Sequence, residues 1–184
     1  MNLRDDFHFV VAIDFGTTYT GYAYSTRHEF HTNPLNINLM TWNAGSSLSP
    51  KAPTCVLFKP DKTFHSFGYQ AEDRYNELAM DGEHREWFFF RRFKMHLYQT
   101  HIDRNQMLTT EDGKKMPAIK VISSVLSHLK NHSMKIIKDS VMEFRETDIR
   151  WVVTVPAIWT DPAKQMMREA AEMVKALEKL IIIK

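Results

Sequence analysis

Val11-Ala12-Ile13-Asp14-Phe15-Gly16-Thr17-Thr18-Tyr19 joins a run of apolar residues to a small polar turn. The run begins at Phe9 and stays apolar at successive positions, which suits a strand covered on both faces. Gly16-Thr17-Thr18 interrupts it and Gly21-Tyr22-Ala23-Tyr24-Ser25 resumes, a pattern that predicts a hairpin with a tight turn. A turn that receives phosphate must let the anion approach the backbone, and Gly16 supplies a residue without a side chain. Thr17 and Thr18 set hydroxyl donors beside turn amides. Asp14, closing the strand, has the chemistry to hold a hydrated magnesium ion facing such phosphates. The same residues also make an ordinary hairpin in which Asp14 only caps turn amides, and the turn alone leaves both readings open.

Outward from this turn, Ile37, Leu39 and Thr41 alternate with polar residues and predict a third strand. Pro50 to Pro53 reads as loop. Strands are expected at Cys55–Phe58 and Thr63–Phe67, antiparallel across the turn Pro60-Asp61-Lys62. Gln70 to Met80 is helical in pattern, with Ala71, Tyr75 and Leu78 on one face. Ala118 to Ser140 is a second helix, with Ile122, Val125, Leu126, Leu129 and Ile136 at helical spacing. Arg150 to Val155 is a β-branched strand closed by Pro156. A last helix opens at Asp161-Pro162, aspartate as N-cap and proline at the first helical position. Its expected stripe is Met167, Ala170, Val174, Leu177 and Ile181. Strands first, then strand and helix in alternation, predict an α/β architecture: a mixed sheet flanked by helices. Leu180-Ile181-Ile182-Ile183 reads as an interior strand, so a stop at Lys184 is expected to be a truncation.

The 184 residues, 43% hydrophobic and 25% charged, suffice for one domain with a core or one lobe of a larger domain. A net charge of +2 gives no reason to expect nucleic acid or an anionic membrane as partner. One cysteine, Cys55, excludes an internal disulfide and points to a reducing compartment, and with no Cys-x-x-Cys partner no redox role is expected. The acidic N-terminus lacks the pattern of a signal peptide, and no stretch is long enough to span a bilayer. His128 and His132 stand one helical turn apart, as zinc ligands can, but with no acidic partner they read as a solvated helix face. Met166, Met167 and Met173 read as core. Phe88-Phe89-Phe90-Arg91-Arg92-Phe93-Lys94 reads as an amphipathic core element with solvated basic tips rather than as a strip for stacking nucleic-acid bases.

Segment Val11–Tyr19 resembles the first phosphate motif of the actin, sugar-kinase and heat-shock ATPase superfamily. Val153-Thr154-Val155-Pro156-Ala157-Ile158-Trp159, followed by Gln165, Arg168 and Ala170-Ala171, resembles the segment of 70-kilodalton heat-shock proteins that precedes their second lobe. Phe64-His65-Ser66-Phe67-Gly68-Tyr69, Phe93-Lys94-Met95 and Arg150-Trp151-Val152 bring the resemblance nearest to that family's divergent twelfth member group, from about Phe9 to Val174. The resemblance implies an actin-like (ribonuclease H-like) ATPase lobe, cut before its second lobe. A core subdomain would span about residues 7–40 and 116–184, and a smaller inserted subdomain about 41–115.

It further implies an ATP site. Asp14 would hold magnesium through water, and Gly16, Thr17, Thr18 and Tyr19 would embrace the β- and γ-phosphates. Lys94 matches the family's catalytic lysine, with Arg91 and Arg92 just upstream leaving the register open. Such a cation stabilises the charge that develops in phosphoryl transfer. Pro156 matches a proline that passes the nucleotide state onward. The arginine that works with it, eight residues later, is here Lys164, which keeps the charge but loses the two-pronged donor. Implied partners are ATP, protein clients and co-chaperones, in the cytoplasm. The family's later catalytic glutamate, second glycine-rich loop and adenosine segment are not in this chain, so weak ATP binding and little hydrolysis are implied for it alone. A small-molecule kinase of the same superfamily is the alternative, and would need a catalytic acid that the strand ending at Pro156 does not carry. A non-enzymatic interaction module is a third.

Overall fold

Strand β1 (Phe9–Phe15) alternates strictly, burying Phe9, Val11, Ile13 and Phe15 while Asp14 stays exposed at its end. In this computed structural model residues 7–98, 103–140, 144–174 and 181–183 are described. β2 (Tyr19–Thr26) returns antiparallel to β1, in a register that sets Asp14 opposite Gly21. A six-residue helix α1 (Arg27–Thr32) follows, opened by a capping box in which Thr26 and Glu29 exchange side-chain and backbone hydrogen bonds. The expected third strand is short: β3 covers only Asn38–Leu39, paired with β2, and Ile37 lies outside it, exposed.

The hairpin β4 (Trp42–Ala44) and β5 (Ser47–Ser49) leads to β6 (Ala52–Pro53), which pairs with Tyr19 and Thr20 of β2. That stretch was expected to be loop. Proline cannot donate to a ladder, so a two-residue strand ending in Pro53 leaves almost no sequence signal. β7 (Cys55–Phe58) pairs antiparallel with β8 (Phe64–Phe67), as the short turn predicts, and on its other side with β9 (Phe88–Arg91). Helix α2 (Tyr69–Met80) packs on one face of this small sheet.

The hairpin β10 (Met107–Thr109) and β11 (Lys115–Pro117) feeds helix α3 (Ala118–Ser140), whose bounds are those read from the sequence. Its buried stripe is Val121, Ile122, Val125, Leu126, Leu129, Ser133 and Ile137; Ile137 takes the place expected of Ile136, which is only half-buried. β12 (Ile149–Thr154) then lies parallel to β1, pairing Asp14 with Thr154. Helix α4 (Asp161–Glu172) begins one residue earlier than expected, its N-cap being Thr160 rather than Asp161. Met167 and Ala170 of the expected stripe are buried in it, and Val174 is buried just beyond its end. Leu177 falls outside the described residues, and Ile181 is in a strand, not a helix. β13 (Ile181–Ile183) pairs parallel to Val152–Thr154, as three successive β-branched residues favour.

The central mixed sheet thus runs β13-β12-β1-β2-β3, with β6 also on β2. Its buried face shares one core with α3 and α4. Met166 and Met167 belong to that core, while Met173 is exposed, against expectation, because the helix has already ended.

Candidate functional site

The candidate site lies where β1 and β12 end side by side. The parallel pairing brings Thr154 beside Asp14, and the Thr154 hydroxyl donates to Asp14 Oδ1 at 3.0 Å. Lys51 donates to the other oxygen, with Nζ 2.6 Å from Oδ2. Burial pushes the Asp14 carboxyl up, but these two hydrogen bonds and the charges of Lys51 and Lys94 outweigh it and hold the carboxyl below its ordinary range. Asp14 is therefore a carboxylate at neutral pH, which an outer-sphere magnesium site requires.

The turn after Asp14 is cramped on its inner side. The Gly16 amide donates back to the Asp14 carbonyl at 3.1 Å, and a Cβ on Gly16 would run into the Tyr19 carbonyl oxygen. Only glycine fits there. The buried Thr54 fastens the turn from beneath: its hydroxyl donates to the Gly16 carbonyl at 2.9 Å, so the Thr20 hydroxyl, 2.8 Å away, must donate to it. The Thr54 amide donates to the Thr18 carbonyl at 2.8 Å, and its carbonyl accepts from the Arg92 amide at 3.2 Å. Thr17 and Tyr19 remain toward the open side, Thr17 hydrogen bonded to the Tyr98 hydroxyl at 3.3 Å and Tyr19 half exposed.

Lys94 is fully buried, on the 3-10 turn Phe93–Tyr98 behind β9. Its ammonium donates to the Phe15 carbonyl and lies 4.2 Å from the Phe15 ring centroid and 4.6 Å from that of Trp159. Burial, partly offset by the negative charge of Asp14, pushes it down to about 7. The neighbouring Arg91 is exposed and paired with Glu72. Arg92 is exposed with a left-handed φ of 46°, a strained conformation for arginine. A cleft of about 150 Å³ between them and the turn is lined by Thr18, Tyr19, Thr54 and both arginines, among others.

Pro156 follows β12, and its carbonyl accepts from the Trp159 amide at 3.1 Å. Trp159 packs against both Lys94 and Tyr98, so this corner touches the underside of the turn. Lys164 lies one helical turn into α4 and pairs with Asp161 at 3.5 Å. The structure thus gathers Asp14, Gly16, Thr17, Thr18, Tyr19 and Lys94 around one turn, with Pro156 adjoining through Trp159. Lys51, Thr54 and Trp159 were missed from sequence. Their signals are faint: a threonine after a proline, and a lysine in what reads as loop.

His128 and His132 do not form a solvated face. Both are half-buried, His132 stacked on Trp42 at 4.8 Å and hydrogen bonded through Nδ1 to the Tyr22 hydroxyl at 2.9 Å, His128 against Phe64 and Phe67. Among the described residues no cluster of three or more metal-ligating side chains occurs. A larger cavity of about 680 Å³ lies at α1 and the Val10 face of β1, lined by Phe7, Phe30, Pro34 and Ile37. Its mainly apolar lining is the opposite of what a polyphosphate needs. Cys55 is buried, its thiol pushed up to about 12 by burial.

Comparison with known proteins gives the following. The chain is 43% identical over 170 residues to human heat shock 70 kDa protein 12B, covering 90% of this chain and 24% of that protein. It is 42% identical over 173 residues to human heat shock 70 kDa protein 12A, and 43% identical to the mouse protein of that name, covering 91% of this chain and 25% of each. The chain therefore spans about a quarter of the length of the curated relatives it matches. No protein-family model matches it. Among solved structures, MreB5 of Spiroplasma citri bound to ADP superposes with a TM-score of 0.51 at 13% identity, over 97% of this chain and 39% of that one. At such identity the likeness shows the fold alone, and that fold is the actin-like one.

Proposed function

This chain is a homologue of the heat shock 70 kDa protein 12 proteins, and on that premise we propose that its turn from Asp14 to Tyr19 binds the phosphates of ATP. The observation that carries the reading is Gly16, held between Asp14 and the Thr54 clamp where no side chain fits. A backbone stripped of side chain beside a carboxylate and several hydroxyls is chemistry for a metal-bridged polyphosphate. Asp14 would hold a hydrated magnesium ion, which would supply positive charge against the phosphates. Thr17, Thr18 and Tyr19 would line the phosphate chain.

Lys94 would serve transfer of the γ-phosphoryl group, since a desolvated cation beneath the turn stabilises developing negative charge strongly. We read residues 7–40 and 116–184 as the core subdomain and 41–115 as its insertion. Pro156, through Trp159, would carry the state of the turn outward, with Lys164 in the place of an arginine. Because the relatives are about four times longer, ATPase and chaperone activity, clients and co-chaperones are proposed for the longer protein. The chain alone should hold ATP only in the millimolar range. A reducing, cytoplasmic setting suits its single, buried thiol.

Thermal denaturation tests this. Ligand at about ten times its Kd stabilises a fold by about 1.4 kcal/mol, which is about 3–6 °C for a chain of this size. Magnesium-ATP at about 10 mM should raise the melting temperature by that amount, and Gly16→Val should abolish the rise. An equal rise in both proteins would place ATP elsewhere.

A further inference from the structure

Lys51 is a cation at the turn that this reading leaves without a task. Its place is built rather than incidental. The Ser49 hydroxyl donates to the Lys51 carbonyl at 2.7 Å and accepts from the Lys51 amide at 3.3 Å. The next two residues are locked to Thr20 and Tyr19 by strand pairing. Gly21 leaves the space that the lysine stem crosses: a Cβ there would meet Lys51 Cγ at 3.1 Å and the Pro50 carbonyl at 2.8 Å. The stem is thus delivered over β2 to Asp14. The charged ends, by contrast, face solvent, with the Lys51 side chain 49% and the Asp14 side chain 52% exposed. So exposed a pair adds little stability, and a lysine ammonium pivots easily on its flexible stem.

Asp14 and a polyphosphate on the same turn repel one another unless a cation stands between them. Magnesium would be one such cation, and the Lys51 ammonium, hydrogen bonded to the carboxylate, is another. We propose that Lys51 is a phosphate-recognition residue that alternates with magnesium as the counter-ion of Asp14. With its ammonium on Asp14 the turn accepts a nucleoside triphosphate without metal. When magnesium takes the carboxylate, the ammonium turns to the phosphate oxygens. This inference rests on the nucleotide reading above.

Equilibrium dialysis of ATP against the chain, once with excess magnesium and once with EDTA, tests it in wild type, Lys51→Met and Lys51→Arg. Methionine keeps the stem over Gly21 and removes only the charge. Wild type should bind in EDTA within about threefold of its magnesium value. Lys51→Met should weaken the EDTA arm at least about tenfold and the magnesium arm by less, and Lys51→Arg should restore both. Wild type that binds only with magnesium overturns the assignment and leaves the nucleotide reading standing. So does a methionine variant that changes neither arm or both alike. No binding in either arm overturns the nucleotide reading itself, and this inference with it.

Discussion

Lys94 shows what a buried cation costs at the scale of a single side chain. Its ammonium sits fully buried against the Phe15 carbonyl and two aromatic rings, and its pKa falls from 10.5 to about 7. Between those values the unfolded chain holds a proton that the folded chain does not. Stability attributable to Lys94 is therefore complete above about pH 10.5 and is lost as pH falls toward 7. Lys94→Met should raise unfolding stability at pH 7 by at least about 1 kcal/mol and flatten its rise toward pH 10. The same change should slow magnesium-ATP hydrolysis by the longer protein at least about a hundredfold. Urea unfolding and turnover measured on the one variant check both. If Arg92→Ala stops turnover while Lys94→Met does not, the exposed, strained arginine is the catalytic cation instead. Asp14, Gly16, Thr17 and Thr18 were legible as one tight turn because glycine beside hydroxyls and a strand-ending aspartate is a local pattern. Thr54 and Lys51 were not, since they reach the turn through the strand pairing of Ala52 and Pro53, more than thirty positions along the chain.

Among the elements, α3 was read to its bounds from the sequence, and its error lay in which side faces what. Period alone marks an apolar stripe, and His128 and His132 sit on its polar flank. The hairpin β4–β5 and strand β8 bring Trp42, Phe64 and Phe67 across to cover that flank. Burial first, and then their mutual proximity, push His128 down to about 4; burial and the charge of Lys135 lower His132. Both histidines thus stay neutral in the fold at pH values where the unfolded chain protonates them. The stability His128 lends is present above about pH 6.5 and is lost as pH falls toward 4, by up to about 1.4 kcal/mol per pH unit, and His132 adds to it in the same direction. The melting temperature should fall steeply between pH 6.5 and 4.5, and His128→Phe, which keeps the aromatic contacts, should make that slope shallower. An unchanged slope would remove His128 from the pH response. α4 was legible to within one residue at its start because Asp161-Pro162 is a helix-opening pair. Its end was not, because the apolar stripe carried the helix on to Ile181, a residue that the β-branched run Leu180–Ile183 also claimed for a strand; β13 bears out the strand.

For the whole molecule, one strand links the parts. β7 sends Val56 and Phe58 into the core shared with α3 and α4, and Cys55 and Leu57 into a second core under α2. In sequence Cys55–Phe58 is only a short apolar run. That it is buried on both faces was readable; that its faces serve two cores was not, because only the tertiary arrangement supplies the second layer. The consequence is that Thr54, the residue just before β7, carries the small sheet's position directly to the Asp14–Tyr19 turn through the Gly16 and Thr18 carbonyls. If nucleotide phosphates rest on this turn, its own amides should report them. Amide NMR of the isotope-labelled chain, titrated with magnesium-ATP to about 10 mM, reads millimolar binding residue by residue. The largest shifts should fall on the amides of Asp14 to Tyr19, with smaller ones at Thr54 and Thr154. Shifts absent from that turn, or gathered instead around the apolar cavity at Phe7, Phe30 and Ile37, would contradict the account.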